Sequence, residues 1–541
     1  MSLTYPEWFQ PVMPERNDCV LGPLLDCGNS EHPDRVFALF ENGTSWSYAD
    51  TWRNTRSWAA GLQELGVKAG DAVSVWLPNR PEILNAWFSA NYIGATYAPI
   101  NTAYRGELLS HVIHNAGAKI LIGHSELLPR LIGADLGQIE QIVCIGDLPD
   151  IDLGVPINSA DILDADPNSL QAIPDVMPWD TMAIIYTSGT TGPSKGVRCS
   201  YFHFYNVGIL AVGFIKTDER CFVNMPLFHI GAAGGTFGAL ARHASIGVVD
   251  GFSTSKFWDQ IRSMNCAVMC GLVGSTVAFL SKREPAADDK DNPLRRVIVA
   301  PVNEQVIALA KRHDFGYFTG YGMTEAPMPL ISEVDTTMSG GYCGRPRDGV
   351  ECRVVDGNDI EVVAGGTGEL IVRSDHPWSM NHGYINMPEA TVAAWRNGWF
   401  HTGDAFRCDE HGNFYFVDRL KDAIRRRGEN ISSLEVEKAV LEYPQVLDVA
   451  AIPVPAEHDE DEVMIVVESQ PGTTVDPVAL TEFLVVRMAH FMVPRYIRMM
   501  PSLPKTPTNK VQKPLLKSEG VTADTWDREA AGIVLKRIRL D

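Results

Sequence analysis

The stretch MAIIYTSGTTGPSKGV, residues 182–197, is an apolar segment that leads into a loop of small and hydroxylated residues around one lysine. A short apolar run followed by turn-forming residues is typical of a buried strand. Glycines let backbone N–H groups approach a ligand closely, hydroxyls add hydrogen-bond donors, and Lys195 adds a positive charge. This combination suits a bound polyphosphate, although a flexible surface loop has a similar composition.

The loop differs from a Walker A phosphate-binding loop. That motif has the form G-x-x-x-x-G-K-[ST], in which the lysine directly follows the second glycine. Here Gly192 lies three residues before Lys195, and Gly196 stands where serine or threonine is required. The chain also lacks the glycine-rich loop and H-R-D motif of protein kinases. The phosphate chemistry therefore belongs to another enzyme class.

The size and composition of the chain limit its fold and partners. A chain of 541 residues exceeds the size of one hydrophobic core, which predicts at least two domains. A formal net charge of −21 argues against nucleic-acid binding by the protein as a whole. The nearest pair among the ten cysteines is Cys266 and Cys270, without a second pair or a histidine cluster at zinc spacing, and we expect reduced thiols.

We predict a cytoplasmic protein. The N-terminal sequence MSLTYPEWFQPVMPERNDCV has no basic segment followed by an apolar core, unlike a secretory signal peptide. No apolar run reaches the ~18 residues of a membrane span. Reduced thiols fit a reducing compartment.

The order of helical and strand-like patterns predicts an α/β fold. In the first half, helical stretches such as 45–66 alternate with short apolar strands such as 71–77, which implies parallel pairing. Residues 348–374 contain short strands broken by Asp-Gly and Gly-Gly turns and predict a small antiparallel β region. After Asp418 the pattern changes to a compact α+β unit of roughly 120 residues, a normal size for a domain.

Four further segments follow the glycine–hydroxyl loop in a fixed order. They are MPLFHIGA (225–232), TGYGMTEA (319–326), GWFHTGDAF (398–406) together with FVDRLKDAIRRRGENIS (416–432), and LPKTPTNKVQK (503–513). With the loop, they resemble the adenylate-forming superfamily, which includes acyl-CoA synthetases, peptide-synthetase adenylation domains and luciferases. The resemblance extends from about residue 45 to 515. In sequence, the last segments most resemble carnitine- and crotonobetaine-activating bacterial acyl-CoA ligases. This resemblance does not fix the substrate.

This resemblance implies an AMP-forming acyl-CoA synthetase whose partners are ATP, Mg²⁺, CoA and a small carboxylic acid. The acid's carboxylate attacks the α-phosphate of ATP to give an acyl-adenylate and pyrophosphate, and a thiol then releases AMP. Because the first step joins two anions, positioning and charge neutralisation are the enzyme's main tasks.

The resemblance also implies two domains. A large N-terminal domain, residues 1–420, holds ATP and the acyl group and consists of parallel α/β subdomains plus a small β region. A small, mobile α+β domain, residues 421–541, carries the catalytic lysine, and Lys421 occupies the hinge position. One site cannot present both that lysine and a thiol to the same carbon, so we expect the small domain to swing.

By the same resemblance, individual residues receive roles. The catalytic residues are Lys510, Thr324, Glu325 and His229. Among these, Lys510 stabilises the adenylation transition state, Thr324 contacts the α-phosphate, and Glu325 holds Mg²⁺, a hard cation that takes oxygen ligands. The nucleotide is held by Thr187, Ser188, Gly189, Thr190, Thr191, Gly192, Lys195, Ala300, Tyr321, Gly322, Met323, Asp404 and Arg419. Asp404 accepts hydrogen bonds from the ribose hydroxyls, and Arg419 supports the same ribose.

Two departures from the family pattern affect this assignment. Asn509 replaces the usual glycine before Lys510, and asparagine tolerates the left-handed conformation that the turn needs. A Gly-Gly-Ala-Pro-like stretch that lines the adenine is replaced by Val299, Ala300 and Pro301, which leaves the adenine contacts open.

The predicted acyl pocket is lined by small residues. It comprises Phe228, Gly231, Gly234, Gly235, Gly271 and Ala326. His229 stands where peptide-synthetase domains place an aspartate, so we do not expect an α-amino acid as substrate. The glycines predict acids larger than acetate, although close helix packing explains them equally well. For CoA, we expect contacts at Arg427 and Gly428 in a basic segment, although a solvated helix face is an alternative reading of its arginines.

Two other functions stay open at this point. The acyl group could pass to an amine or a carrier protein, but a chain without a fused carrier domain favours CoA. A non-catalytic nucleotide-binding homologue is also conceivable, and the presence of Lys195, Glu325, Asp404 and Lys510 argues against it.

Overall fold

The structure is a computed structural model that describes residues 14–187, 193–211, 213–338, 341–419, 424–426, 429–431, 433–456, 460–504, 511 and 513–535. Some of the predicted functional residues lie outside these ranges, namely Ser188, Gly189, Thr190, Thr191, Gly192, Lys421, Arg427, Gly428 and Lys510. The roles given to them stay predictions. The domain boundary predicted at residue 420 also falls outside the described residues.

The first 200 residues alternate helices and strands, as predicted. In chain order the elements are α1 (Arg16–Cys19), α2 (Leu21–Glu31), β1 (Val36–Phe40), β2 (Ser45–Ser47), α3 (Tyr48–Glu64), β3 (Ala72–Trp76), α4 (Pro81–Tyr92), β4 (Thr96–Pro99), α5 (Gly106–Ala116), β5 (Ile120–His124), β6 (Gln141–Ile145), β7 (Ile157–Ser159), β8 (Thr181–Thr187) and β9 (Lys195–Ser200), with 3₁₀ helices at Leu128–Leu131 and Ala160–Leu163. A seven-stranded sheet has the order β7-β6-β5-β3-β4-β8-β9. Its strands are parallel except for the antiparallel hairpin of β8 and β9.

A second α/β region follows. Its elements are α6 (Tyr201–Tyr205), a π-helix (Asn206–Ala211), β10 (Arg220–Val223), α7 (Ile230–Ala241), β11 (Ser245–Val248), α8 (Phe257–Ser263), β12 (Val268–Val273), α9 (Gly274–Ser281), β13 (Arg296–Ala300), α10 (Glu304–His313), β14 (Gly316–Phe318), β15 (Gly320–Tyr321) and β16 (Leu330–Ile331). The second seven-stranded sheet has the order β14-β13-β12-β10-β11-β1-β2. Only the β1–β2 pair in it is antiparallel.

The predicted antiparallel β region is confirmed and is larger than the sequence pattern indicated. It contains β17 (Tyr342–Pro346), β18 (Val350–Val355), β19 (Thr367–Ser374), α11 (Pro388–Ala394), β20 (Trp395–Arg396), β21 (Trp399–Cys408) and β22 (Phe414–Arg419). The eight-stranded sheet runs β15-β16-β17-β22-β21-β19-β18, with β20 beside β21. The turn motifs in the sequence predicted only the β18–β19 hairpin. Strands such as β17 and β22 pair although many residues separate them, so no turn motif marks their pairing.

The C-terminal residues form the predicted α+β unit. It comprises β23 (Ile424–Arg426), β24 (Glu429–Ile431), α12 (Ser433–Leu441), β25 (Val446–Pro455), β26 (Asp461–Ser469), α13 (Pro477–Val485), β27 (Tyr496–Met500), α14 (Lys513–Glu519) and β28 (Trp526–Asp527). Four strands form a sheet in the order β25-β26-β27-β28, and β23 pairs with β24 in a separate hairpin. Among the residues described, no helix has both the length and the apolar character that a membrane crossing requires.

The two parallel sheets share one hydrophobic core. The largest buried cluster includes Phe37 from the second sheet, Val73 from the first, and Trp58 and Trp87 from helices α3 and α4. Local sequence sets where α3 begins, because the Ser47 hydroxyl accepts a hydrogen bond from the Asp50 N–H and the Asp50 carboxylate accepts one from the Ser47 N–H, both at 3.0 Å. A buried layer of helices therefore joins the sheets into one N-terminal body.

Glycines allow α7 to pack closely on the π-helix. A Cβ added to Gly238 would lie 2.5 Å from the carbonyl oxygen of Gly208, and one added to Gly234 would lie 2.2 Å from Val207 Cγ1. A Cβ on Gly231, in the first turn of α7, would meet only Met225 Cε at 3.7 Å, an ordinary contact. Part of the glycine-rich segment therefore serves helix packing, the alternative that its sequence left open.

This packing predicts opposite effects for two substitutions on the same helix. Both Gly238→Ala and Gly231→Ala gain about 1 kcal/mol in helix propensity. We expect Gly238→Ala to lower the free energy of unfolding by about 1–3 kcal/mol, because overpacking against backbone cannot relax through a side chain. Gly231→Ala is the matched control and should be neutral or stabilising. Equal thermal unfolding midpoints for the two variants would contradict the close approach of α7 to the π-helix.

Candidate active site

A cleft gathers residues from distant segments of the sequence. Thr187, Phe228, His229 and Thr324, all predicted site residues, line it together. Residues of the C-terminal unit complete the lining, among them Glu429, Glu435, Phe491 and Met492. The cleft has a volume of about 100 Å³. A larger cavity of about 510 Å³ lies beside α2, and none of the described residues of the predicted site lines it.

The β8–β9 hairpin carries the glycine–hydroxyl loop. Its strands place Thr187 directly opposite Lys195 in the ladder. The loop between them, residues 188–192, lies outside the described residues. His111 Nε2 is 2.8 Å from the carbonyl oxygen of Ser194 and supports the end of the loop next to Lys195. Thr187 and Lys195 therefore stand together at the base of the loop.

Tyr384 joins Lys195 to Glu325. The Tyr384 hydroxyl donates a hydrogen bond to Glu325 Oε1 at 2.9 Å, and Lys195 Nζ lies 4.9 Å from the centre of the tyrosine ring. Burial and the Glu325 charge raise the pKa of Tyr384 well above its ordinary value, so the phenol stays neutral and can donate. No sequence pattern marked Tyr384, because a Gly-Tyr pair among turn residues is common and has no catalytic spacing.

Backbone contacts fix the position of Tyr384 and Glu325. The Ile385 N–H donates to the carbonyl of Gly196 at 2.8 Å, and the Arg198 N–H donates to the carbonyl of Gly383 at 3.0 Å. The Glu325 carbonyl in turn accepts hydrogen bonds from the backbone N–H and the side-chain amide of Asn381, at 2.9 and 3.1 Å. The segment 381–385 thus links the hairpin to the loop that carries Glu325.

Asp404 and Tyr321 form a second buried pair. The Tyr321 hydroxyl donates to Asp404 Oδ2 at 2.6 Å, and its ring packs edge-on against Phe406 with centroids 4.8 Å apart. Asp404 pairs with Arg419 in the β21–β22 ladder, so the two predicted ribose residues are direct neighbours across strands. Tyr321, predicted as a nucleotide contact, therefore also orients the Asp404 carboxylate.

The adenine segment contains close backbone packing. A Cβ on Gly322 would lie 2.9 Å from the backbone nitrogen of Met328, so a glycine suits this position. The Met323 N–H donates to the carbonyl of Ala326 at 3.2 Å. Val299, one of the departures from the family pattern, is fully buried in a hydrophobic cluster behind β13, and Ala300 ends that strand.

The predicted acyl-pocket glycines divide into two groups. Gly231 and Gly271 form the first group, next to Met225, and Gly234 and Gly235 form the second. Cβ atoms on Gly231 and Gly271 would both meet Met225, whose side chain lies between them. A Cβ on Gly235 would approach Cys270 at 3.0 Å, whereas Gly234 packs on the π-helix. Ala326 is buried in the core of the antiparallel sheet. No pattern in the sequence singled out Met225, a flexible side chain at the centre of the first group.

Two side-chain contacts join the C-terminal unit to the cleft. His229 Nε2 lies 3.2 Å from Glu429 Oε1 of β24, and the Ser194 hydroxyl lies 3.3 Å from Glu435 Oε1 of α12. Arg426 of the basic segment is buried, with Nε 2.8 Å from Glu462 Oε2, and its Nη1 donates to the carbonyl of Phe491. Arg426 therefore holds the β23–β24 hairpin on the C-terminal core and adds no exposed charge for a CoA phosphate.

Comparison with known sequences assigns the chain to a family. The sequence model of the family described as AMP-binding enzyme matches residues 27–385, and that of the AMP-binding enzyme C-terminal domain matches residues 435–510. The chain belongs to the AMP-binding enzyme family. This membership confirms the resemblance drawn from the ordered motifs, and with it the predicted enzyme class, adenylate-forming carboxylate–CoA ligation.

Individual relatives agree with this family. A crotonobetaine/carnitine–CoA ligase of Salmonella arizonae is 28% identical over 501 residues, covering 90% of this chain and 96% of its own. An o-succinylbenzoate CoA synthetase of Bacillus subtilis has a TM-score of 0.75 at 20% identity, covering 92% of this chain and 98% of its own. The amide bond synthetase McbA of Marinactinospora thermotolerans has a TM-score of 0.76 at 21% identity, covering 92% and 99%. The two structures share the fold, and the predicted fold class is confirmed.

The Tyr321–Asp404 pair predicts graded effects on nucleotide binding. Asp404→Asn removes the anionic acceptor, and hydrogen bonds to charged groups contribute about 1.5–3 kcal/mol, so we expect roughly 10–100-fold weaker ATP binding. Tyr321→Phe keeps the carboxylate and loses one hydroxyl that orients it, and should weaken binding less. Isothermal titration with ATP measures both. If Asp404→Asn binds ATP with wild-type affinity, Asp404 does not contact the nucleotide.

Glu435 predicts a pH dependence of stability. Its carboxyl end is buried although the residue as a whole is half-buried, and burial raises its pKa from 4.5 to about 8. Because the pKa is raised on folding, the stabilisation is complete below pH 4.5 and is lost as the pH rises through about 8. Glu435→Gln mimics the protonated form. It should therefore gain thermal stability over the wild type between pH 5 and pH 8.

Thermal unfolding from pH 5 to pH 9 measures this difference. We expect the midpoint of Glu435→Gln to exceed that of the wild type at pH 8 by at least about 2 °C, the scale of a 1 kcal/mol change in a domain of this class. Glu482→Gln, at an exposed position on α13, is the control and should follow the wild type at every pH. A constant offset across the range would mean that Glu435 does not titrate with a raised pKa.

Proposed function

We propose that the protein is an AMP-forming ligase that joins CoA to a carboxylic acid larger than acetate and without an α-amino group. The observation that carries this proposal is the arrangement of Lys195, Tyr384 and Glu325 beside the cleft. One tyrosine contacts both a cation and a carboxylate at the base of a glycine–hydroxyl loop. The cation suits the triphosphate of ATP, and the carboxylate suits its counter-ion. Family membership supports the same reaction.

Mg²⁺ fits the residues present. Glu325 is a buried carboxylate whose oxygens are the donors that this hard cation prefers. We propose that Glu325 holds the ion together with phosphate oxygens, and that Tyr384 fixes the direction of the carboxylate. When bound, Mg²⁺ neutralises phosphate charge. The chain's own contribution is to place Lys195 near the same phosphates and to keep Asp404 on the ribose.

The remaining roles come from the resemblance alone. Lys510 would stabilise the charge that develops during adenylation, and Thr324, which lines the cleft, would contact the α-phosphate. The small domain would then turn about Lys421 for the thiol step. Glu429, which follows Arg427 and Gly428 in the sequence, lines the cleft, and this supports the proposal that the two residues contact CoA.

The residues at the cleft favour an acid without an α-amino group. His229 follows Phe228 at the cleft, so the position that would pair with an α-ammonium group holds no carboxylate from this segment. The relative in Salmonella arizonae is named for crotonobetaine and carnitine. We therefore include both acids in a panel with acetate, medium-chain fatty acids and aromatic acids.

A release assay tests the reaction and its acceptor. Purified protein with ATP, Mg²⁺ and each acid should release pyrophosphate, and CoA should convert the adenylate to a thioester with release of AMP. Amines and hydroxylamine in place of CoA test the alternative of amide formation. If no acid gives pyrophosphate, the protein is not the proposed ligase. If amide formation exceeds thioester formation, the acceptor is an amine and not CoA. Acetate as the best substrate would contradict the proposed size preference.

Lys510→Ala separates the two half-reactions. We expect adenylate formation to fall by at least ~10²-fold, the usual scale for loss of one transition-state donor. Thioester formation from a supplied acyl-adenylate should change far less. Lys505→Ala, in the same segment, is the matched control. Single-turnover measurements of both steps provide the test, and equal losses in both would exclude Lys510 from the role given to it.

A further inference from the structure

Three metal-ligating side chains meet at a place that the proposed reaction does not use. Cys27 and Glu31 lie four residues apart on α2 and therefore share one face of the helix. His243 follows α7 and approaches them from a position 216 residues away from Cys27. One donor atom from each residue lies within 4.8 Å of the other two, and Cys27 Sγ is 3.9 Å from His243 Nε2.

We propose that Cys27, Glu31 and His243 form a binding site for a divalent transition-metal ion, with Zn²⁺ as its natural occupant. Thiolate sulfur, imidazole nitrogen and carboxylate oxygen are the donors that Zn²⁺ takes in proteins. At the usual bond lengths, donors in a tetrahedral site lie roughly 3.4–3.6 Å apart. The sulfur–nitrogen distance is close to this value. Glu31 is an exposed side chain and can rotate to bring its carboxylate oxygen to a similar distance from the other two donors.

The histidine is held in place before any ion binds. The Arg35 Nη1 donates to the carbonyl of His243 at 3.0 Å, which fixes the backbone of a residue with a positive φ of 51°. The ring packs edge-on to His32, with centroids 5.3 Å apart, and against Tyr48 at 6.2 Å. Its Nδ1 is buried and has no hydrogen-bond partner among the described residues, while Nε2 faces the thiol.

The charges at the site suit a divalent cation. A metal ion binds the neutral imidazole form of histidine and the thiolate form of cysteine. A Cys27 thiolate and the Glu31 carboxylate together balance a charge of +2. The positive charge of Arg35 lies on the backbone side of His243, where its Nη1 donates to the carbonyl oxygen.

The protein supplies three ligands, and we assign the fourth position to water. His32 Nε2 lies 4.0 Å from Glu31 Oε2, and we assign this residue to packing against His243 and not to the metal. The ion would tie the C-terminal end of α2 to the turn after α7. Because α7 carries Gly231 in its first turn, the tie would brace the helix beside the acyl pocket.

Zinc content and affinity of the full-length chain test the site. After removal of metal by chelation and dialysis, the wild type should bind one equivalent of Zn²⁺ in a competition titration against a chromogenic chelator, with metal content measured by mass spectrometry. Cys27→Ser and His243→Ala should each raise the dissociation constant at least about a hundredfold, beyond the 10–100-fold that loss of an outer partner costs. Glu31→Gln should also weaken binding. Zn²⁺ should raise the unfolding midpoint of the wild type but not that of a variant that lacks one of the three ligands.

Two variants serve as matched controls. Cys408→Ser removes another half-buried thiol, and His32→Phe keeps a ring against His243 but removes its nitrogens; both should bind Zn²⁺ as the wild type does. Co²⁺ bound to the wild type should show a thiolate-to-cobalt charge-transfer absorption, a result that needs no variant to fold. The proposal is overturned if the wild type binds no Zn²⁺ or lacks this absorption. It is also overturned if Cys27→Ser retains wild-type affinity or if His32→Phe loses as much affinity as Cys27→Ser.

Discussion

The hydrogen bond from Tyr384 to Glu325 holds together the parts of the candidate active site that carry opposite charges. The tyrosine ring contacts Lys195 on β9, its hydroxyl contacts Glu325, and its backbone neighbours pair with Gly196 and Arg198. Lys195 and Glu325 thus contact different parts of one neutral, buried phenol. The rest of the cleft depends on this arrangement because it fixes the β8–β9 hairpin relative to the loop after β15.

The topology explains why the site lies where it does. Parallel sheets bring the carboxyl ends of their strands to one edge, and ligands of open α/β sheets bind there. Thr187 ends β8, Phe228 and His229 follow β10, and Ala300 ends β13. The antiparallel sheet then contributes the Tyr321–Asp404 pair from its own strands, and the C-terminal unit adds Glu429 and Glu435. Thr187, Phe228 and His229 thus reach a single cleft because they lie at or after the carboxyl ends of parallel strands.

Burial gives the charged groups of the C-terminal unit different tasks. Arg426 and Glu462 form a buried ion pair, which seldom adds much net stability but is costly to break on one side only, so it fixes the β23–β24 hairpin in one position. Glu435 has its carboxyl end buried next to Ser194, and its raised pKa makes the contact between α12 and Ser194, the residue before β9, sensitive to pH. The basic segment that looked uniform in the sequence therefore contains at least one arginine with a purely structural role.

The family, the α/β class, the antiparallel region and the ordered motifs could be predicted from the sequence, because a strand, a turn or a cap is encoded by a few neighbouring residues. The packing of whole elements shows which glycines of 231–238 lie against the π-helix, that Tyr384 contacts Glu325 and that Val299 is buried in the core. It also places Met225 against Gly231 and Gly271. The same holds for Cys27, Glu31 and His243, whose proximity no spacing in the sequence could indicate. The physical reason is that contacts between elements depend on how whole helices and sheets pack, and packing brings together side chains that share no local pattern.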